Sequence, residues 1–334
     1  MSDTMTYAKL GRSGLTLSRV GLGSWLTYGT DVDGATTKQC VRAALDAGIN
    51  FIDTADIYAL GAAETALGQV LADLRNASAD SVRRQDLVIA TKAFWPMTDN
   101  VNDRGLSRKH LFESAHNSLE RLQIDYIDLY QCHRYDPETP VEEIVRAMDD
   151  LIRQGKVLYW GVSCWSAAQI TDAVRTARAL GAHPPISNQP PYNMIDRHIE
   201  VDILSTSAQE GLSQVVFSPL AQGLLTGKYT SKQAPAGTRA ANERLGRFLR
   251  PTLTDDNLHK VKKLGALAAE VDMPLSQLAL AWCLRQSNVT SVIIGATRPE
   301  QVTENAGAAM RVLSKETLDR IEEILGNGPA GLDY

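Results

Sequence analysis

Asp86–Lys92 reads DLVIATK, and Ser213–Pro219 reads SQVVFSP. Both are continuous apolar runs that stop abruptly at polar residues, and neither alternates polar with apolar. A strand buried on both faces has this pattern, because in a parallel sheet covered by helices neither side meets water. Within the second stretch the β-rich part is Gln214–Phe217. Six further β-rich runs lie at Arg19–Leu22, Asn50–Asp53, Tyr126–Gln131, Leu158–Ser163, Ile186–Gln189 and Ser291–Ile294.

Helical patterns fill the gaps. Ala35–Ala47 sets Val41, Ala44 and Leu45 at helical spacing and meets Gly48 as a stop. Ser107 caps a helix predicted over 107–122, whose apolar face is Leu111, Ala115, Leu119 and Leu122. Val141–Arg153 ends before Gly155, Ser166–Leu180 lies between a serine cap and Gly181, and Pro299–Ala309 starts with proline at N1. Eight β-runs alternating with helices predict an α/β fold, a (β/α)8 TIM barrel forming one domain over 1–334. A doubly wound sheet is the alternative, but no Pro/Gly-rich linker divides the chain. Leu220–Pro251, in the longest gap between β-runs, predicts a loop hanging over the C-terminal face, where barrel active sites sit. The start, YAKLGRSGLTLSRV (7–20), predicts a β-hairpin around Gly11–Gly14 that plugs the other end. Further helix is expected around Lys315–Leu325.

Composition excludes several classes. The 334 residues are 44% hydrophobic and 22% charged, with net charge −5, which leaves ample apolar material for a core. No run approaches the ~20 apolar residues of a membrane helix, and MSDTMTYAKL has no secretory pattern. Mild acidity without a Lys/Arg block argues against nucleic acid or membrane as partners. Cys40, Cys132, Cys164 and Cys283 form no CxxC unit, so reduced thiols and a cytoplasmic location are expected. Cys132 and His133 are adjacent but face opposite ways on a strand, so no metal site is expected.

The polar residues that stop the strands carry the chemistry. The second run ends in Asp53 with Tyr58 five residues on, the third ends in Lys92, and His133 follows the fourth. Taken singly, each has an ordinary role as an Asx-turn, a half-buried ring, a snorkelling lysine or a structural histidine. In a barrel they converge on one mouth. There a lysine ammonium favours the phenolate and lowers the tyrosine pKa, a carboxylate keeps the lysine charged, and the phenol becomes a general acid for a carbonyl oxygen. The histidine orients that carbonyl. Such a site reduces carbonyls and lacks only a hydride source. Phosphate motifs are sparse: GLGSWL (21–26) lacks the third glycine of a Rossmann turn, and GLLTGKY (223–229) is one residue short of a Walker loop. By contrast IIGATRPEQVTEN (293–305) reads strand, turn, helix, and sets Thr297 and Arg298 at a helix start that suits an anion.

FIDTADIY (51–58), LVIATK (87–92), YIDLYQCH (126–133), KVLYWGVS (156–163), FSPLAQG (217–223) and IGATRPEQ (294–301) together resemble the aldo-keto reductase family, in order and across nearly the whole chain. SPLAQGLLTGKY and ENAGA most resemble the branch of bacterial aldo-keto reductases and potassium-channel β subunits. The resemblance implies a barrel that binds NADPH/NADP+ without a Rossmann fold, and a catalytic tetrad of Asp53, Tyr58, Lys92 and His133. It implies that Ser163 and Gln189 hold the nicotinamide carboxamide and that Phe217, usually Tyr or Trp, stacks on the ring. Gly23, Trp25 and Asp53 match the nicotinamide side. Ser218, Pro219, Leu220, Gln222, Gly223 and Lys228 match the segment over the pyrophosphate, with Arg239 near the adenosine. Gly295, Thr297, Arg298, Gln301, Glu304 and Asn305 match the 2′-phosphate and adenine pocket. Cys164 stands where many members carry Asn or Arg.

The expected partner is a small-molecule carbonyl substrate, met by Trp25, Tyr28, Phe94, Trp95 and Tyr135. A homo-oligomer is compatible, since channel-branch relatives are often tetrameric. An NADPH-binding redox-sensing subunit is the alternative reading. Channel subunits depart from the tetrad at the histidine, and His133 is present here.

Overall fold

The computed structural model describes residues 5–25, 33–77, 81–233, 241 and 246–329. Two short strands, β1 (Tyr7–Lys9) and β2 (Thr16–Ser18), pair antiparallel as the expected hairpin. Eight parallel strands follow: β3 (Val20–Gly23), β4 (Phe51–Asp53), β5 (Val88–Ala93), β6 (Ile127–Cys132), β7 (Val157–Val162), β8 (Ser187–Asn188), β9 (Ser213–Val216) and β10 (Val289–Gly295). They close in the order β10-β3-β4-β5-β6-β7-β8-β9, so this is a (β/α)8 barrel and not an open sheet.

The apolar runs divide their side chains between two cores. Phe51, Val88, Ala90, Leu129, Val215 and Ile293 fill the interior together with Leu10 and Leu17 of the hairpin. The alternate residues, such as Ile52, Ile89, Tyr130 and Val216, join the larger core under the helices. Burying Leu10 and Leu17 removes two large apolar side chains from water, worth roughly 1.5–3 kcal/mol each. The hairpin is thereby fixed as the plug. Gly11 makes that fit possible: its φ is +57°, and a Cβ there would stand 2.4 Å from the Gly211 carbonyl oxygen.

The helices α1 (Gly34–Asp46), α2 (Ala62–Arg75), α3 (Arg108–Leu122), α4 (Val141–Arg153), α5 (Ala167–Leu180) and α6 (Ile203–Glu210) follow strands β3 to β8 in turn. Ser107 caps α3 by accepting from His110 N, and Ser166 with Gln169 forms a reciprocal capping box on α5. Gly48, Gly155 and Gly181 lie just past helix ends at φ of 82°, 69° and 62°, as a helix stop requires. Among the described residues the long gap after β9 includes the α-helices α7 (Asp255–Glu270) and α8 (Leu275–Leu284). After β10 come α9 (Pro299–Ala306) and α10 (Lys315–Leu325). One expectation is corrected here. The helix expected over 299–309 is α-helical only to Ala306 and tightens into a 3-10 turn over Gly307–Met310. The Glu304 carbonyl accepts from the Gly307 N–H three residues on, the 3-10 spacing, and from Gln277 Nε2 at 2.7 Å. Among the described residues no helix is long and apolar enough to cross a membrane.

Candidate active site

Because all eight strands run parallel, their C-terminal ends meet at one mouth. Gly23, Asp53 and Gly295 end β3, β4 and β10, and Lys92 is the penultimate residue of β5. His133, Ser163, Gln189 and Phe217 are each the first residue past β6, β7, β8 and β9.

Lys92 is fully buried at the centre of this arc of strand ends. Its Nζ donates to Asp53 Oδ2 at 2.6 Å, to the Thr54 carbonyl at 2.7 Å and to Tyr58 Oη at 3.3 Å. Those bonds use all three donors of the ammonium. The other oxygen of Asp53 accepts from Gln189 Nε2 at 2.8 Å and from Gln131 Nε2 at 3.4 Å. Burial alone would lower the Lys92 pKa, but the Asp53 charge and the hydrogen bonds to Asp53 and Tyr58 act against it, and the net shift is upward. The lysine therefore stays charged.

The segment carrying Tyr58 is clipped to β5 and α3. Asp56 N donates to the Lys92 carbonyl at 3.1 Å, and the buried Asp56 carboxylate accepts from Ile57 N at 2.6 Å and from Ser114 Oγ at 2.8 Å. Burial pushes the Asp56 carboxyl up to about 7. Immediately after Tyr58 the chain turns through Ala59 and Leu60 at φ of 52° and 51°, a conformation that costs of order 1 kcal/mol per residue outside glycine.

Tyr58 lies edge-on to His133, ring centroids 5.8 Å apart at 79°, and Trp95 meets the same imidazole at 6.4 Å. Burial raises the Tyr58 pKa, while the Lys92 charge acts against it without reversing it. The expected net lowering by lysine is therefore not observed: desolvation of the phenol wins, and Tyr58 is a protonated phenol at neutral pH. The His133 pKa is well below its ordinary value, through burial and then the charges of Lys92 and Arg134. Its Nδ1 is buried without a hydrogen-bond partner among the described residues. A neutral imidazole donates through one nitrogen only.

A second buried histidine gives a pH test that leaves the mouth untouched. Among the described residues both ring nitrogens of His110 on α3 are without a hydrogen bond, Nδ1 being 3.6 Å from Asp103 Oδ1, and burial lowers its pKa. The unfolded chain gains a proton there near pH ~6.5 that the folded chain resists, so this group makes stability fall as pH drops through that value. Asp56, raised in the folded state, works in the opposite sense, so the test is a difference. His110→Leu is expected to lessen the acid loss between pH 7.5 and pH 5 by up to about 2 kcal/mol in urea unfolding. An identical pH slope in both proteins contradicts the account.

At the ends of β7 and β8, Ser163 Oγ donates to the Gln189 carbonyl at 2.8 Å. Cys164 beside it is buried at φ 55°, its thiol pKa raised by burial, as for a packed cysteine. At the end of β9 the chain bends through Ser218, Ala221, Gln222 and Gly223 at φ of 53°, 46°, 58° and 97°. Gln222 Nε2 donates to Ser218 Oγ at 2.5 Å, and Asn193 Nδ2 to the Ser218 carbonyl at 3.1 Å. Pro219 and Leu220 lie inside that bend. The ammonium of Lys228 packs on Gly223, 3.3 Å from where a Cβ would stand.

Past β10, the backbone N–H of Thr297 donates to Gln301 Oε1 at 2.8 Å, and exposed Arg298 directly precedes α9. Glu304 accepts from Ser276 Oγ at 2.7 Å, and Asn305 is buried. Trp25, past β3, meets Phe248 edge-on at 5.1 Å, so the chain after β9 reaches across the end of β10. Arg239 and Tyr28 lie outside the described residues. The donor set suits a dinucleotide phosphate: an ammonium over a glycine bend, a guanidinium, and the N–H groups of a first helical turn.

Over residues 19–326 the sequence matches the Aldo/keto reductase family. The chain belongs to that family. A rice (Oryza sativa subsp. japonica) relative named "Probable voltage-gated potassium channel subunit beta" is 44% identical over 328 residues, covering 97% of this chain and 98% of its own. An Arabidopsis thaliana relative of the same name is 43% identical with the same coverage. Aldo/keto reductase membership accounts for the order of the segments around the barrel mouth. Several residues of this family member escaped sequence reasoning: Gln131, Thr54, Asp56 and Asn193. Gln131 had a signal, being a polar residue in an apolar run two places before His133, hence on the same face of the strand. Thr54 acts through its carbonyl, which no side-chain pattern reports.

Proposed function

We propose that the chain is an oxidoreductase that uses NADPH to reduce aldehydes and ketones to alcohols. One observation supports it above the others: a fully buried ammonium bonded at once to a carboxylate and to a phenol. A buried charge is tolerated only when paired, and here the pairing holds the tyrosine hydroxyl at the positive centre. NADPH, when bound, supplies a hydride to the carbonyl carbon.

The chain's own groups handle the oxygen. His133, neutral, donates a hydrogen bond that orients the carbonyl. Tyr58 passes its proton to the oxygen as negative charge develops, and the resulting phenolate is stabilised by Lys92. Asp53 keeps Lys92 charged. Ser163 and Gln189 are assigned to the carboxamide, Gly23, Trp25 and Phe217 to the nicotinamide, and Pro219, Leu220, Gln222, Gly223 and Lys228 to the pyrophosphate. Gly295, Thr297, Arg298, Gln301, Glu304 and Asn305 are assigned to the adenosine end. Four buried free thiols suit a reducing, cytoplasmic compartment.

Arg298 is exposed and its fork fits a phosphate monoester. Arg298→Ala is expected to weaken NADPH binding about 10–100-fold and NADH binding little, because a charge-assisted bond contributes about 1.5–3 kcal/mol. Equal weakening of both removes the role given to Arg298. NADPH oxidation over a panel of aldehydes, ketones and sugar phosphates tests the function itself. Many equivalents per chain are expected. A single equivalent, with NADP+ retained, would favour the alternative of an NADPH-binding redox-sensing subunit, the plant relatives being named as channel subunits. The intact set Asp53, Tyr58, Lys92 and His133 is the reason turnover is preferred.

A further inference from the structure

Arg134 follows His133 at the mouth and is half-buried. Its Nη1 donates to the His133 carbonyl at 2.5 Å, and its guanidinium carbon lies 5.6 Å from the centre of the Trp95 ring. Trp95 in turn meets His133, and His133 meets Tyr58. The guanidinium is thus held beside the two side chains that would touch a carbonyl. It is close enough for its charge to act on Tyr58, His133 and Cys164 alike.

Among the described residues no carboxylate lies within 4.0 Å of Arg134, whereas the neighbouring charges are matched. Lys92 is paired with Asp53 at 2.6 Å, and Asp196, which also acts on Cys164, contacts His198 Nδ1 at 2.6 Å. An arginine that makes one hydrogen bond among the described residues, set against an aromatic ring at the barrel mouth, suits a planar or tetrahedral oxoanion.

We infer that Arg134 is a specificity-determining residue, and that the carbonyl substrates of this site carry a carboxylate or phosphate group. This inference rests on the reductase reading. Its test compares matched pairs: 4-carboxybenzaldehyde against 4-nitrobenzaldehyde, and glyceraldehyde 3-phosphate against glyceraldehyde. For each pair the ratio of kcat/KM, charged over neutral, is measured in the wild type, in Arg134→Gln and in Arg134→Lys. Arg134→Gln is expected to lower the ratio about 10–100-fold, mainly through KM, with Arg134→Lys in between. A fall confined to one pair identifies carboxylate or phosphate as the group recognised. A merely structural arginine would lower both members of each pair equally, and an unchanged ratio in both pairs overturns the inference. If the wild type turns over no carbonyl, the reductase reading fails instead. Calorimetric binding of 4-carboxybenzaldehyde and glyceraldehyde 3-phosphate to wild type and Arg134→Gln then decides the anion site alone, with equal affinities counting against it.

Discussion

Tyr58→Phe is expected to lower kcat by about 10²–10⁴-fold while leaving the NADPH dissociation constant within about twofold. The substitution removes one oxygen and keeps the ring that packs edge-on to His133. Burial holds Tyr58 as a phenol, so in the wild type the proton to be given is in place at neutral pH. The nearby buried groups cannot replace it. Lys92 is held charged by Asp53, and its three donors are already used. His133, with its pKa well below the ordinary value, carries no spare proton at neutral pH. Stopped-flow NADPH oxidation and fluorescence titration of the cofactor separate the two quantities. Near-wild-type kcat in a folded Tyr58→Phe protein would refute the assignment.

The second large effect is at Lys92. Lys92→Met leaves the Asp53 carboxylate buried beside an apolar chain, with only the Gln189 and Gln131 amides on its other oxygen. Breaking a buried ion pair from one side costs about 3–5 kcal/mol. Turnover is expected to fall at least about 100-fold, since the phenolate formed by Tyr58 loses its stabilising cation. Adding Asp53→Asn removes the stranded charge, so the double variant is expected to regain most of the stability in urea unfolding and none of the activity. Recovery of neither, or of both, would show that Lys92 acts in some other way.

Much of this was legible in the sequence for a physical reason. Strands such as β4, β5, β6 and β9 are buried on both faces, so DLVIATK and its counterparts announce themselves without alternation, and polar residues that stop such runs, as Asp53 and Lys92 do, lie at the mouth. Helix stops at Gly48, Gly155 and Gly181 were equally local. The illegible parts depend on closure. Nothing local says that Gln189, past β8, would bond Asp53, at the end of β4. The end of α9 is met by Gln277, which comes from α8. The sign of the Tyr58 shift was also hidden: adjacency to lysine suggests a lowered pKa, and only the depth of burial reverses it. Arg134 gave no sign of importance, because its interest lies in having no carboxylate within reach among the described residues.

The central claim is that this chain transfers hydride from NADPH to a carbonyl in repeated cycles, with Tyr58 supplying the proton. Incubation with NADPH deuterated at the nicotinamide C4 and a panel of aldehydes, followed by mass spectrometry of the products, tests it most directly. The account predicts alcohol carrying one deuterium on the carbinol carbon, in many equivalents per chain, and in at least about 100-fold smaller yield per unit time for Tyr58→Phe. Consumption that stops at one equivalent, or alcohol without deuterium, would contradict it.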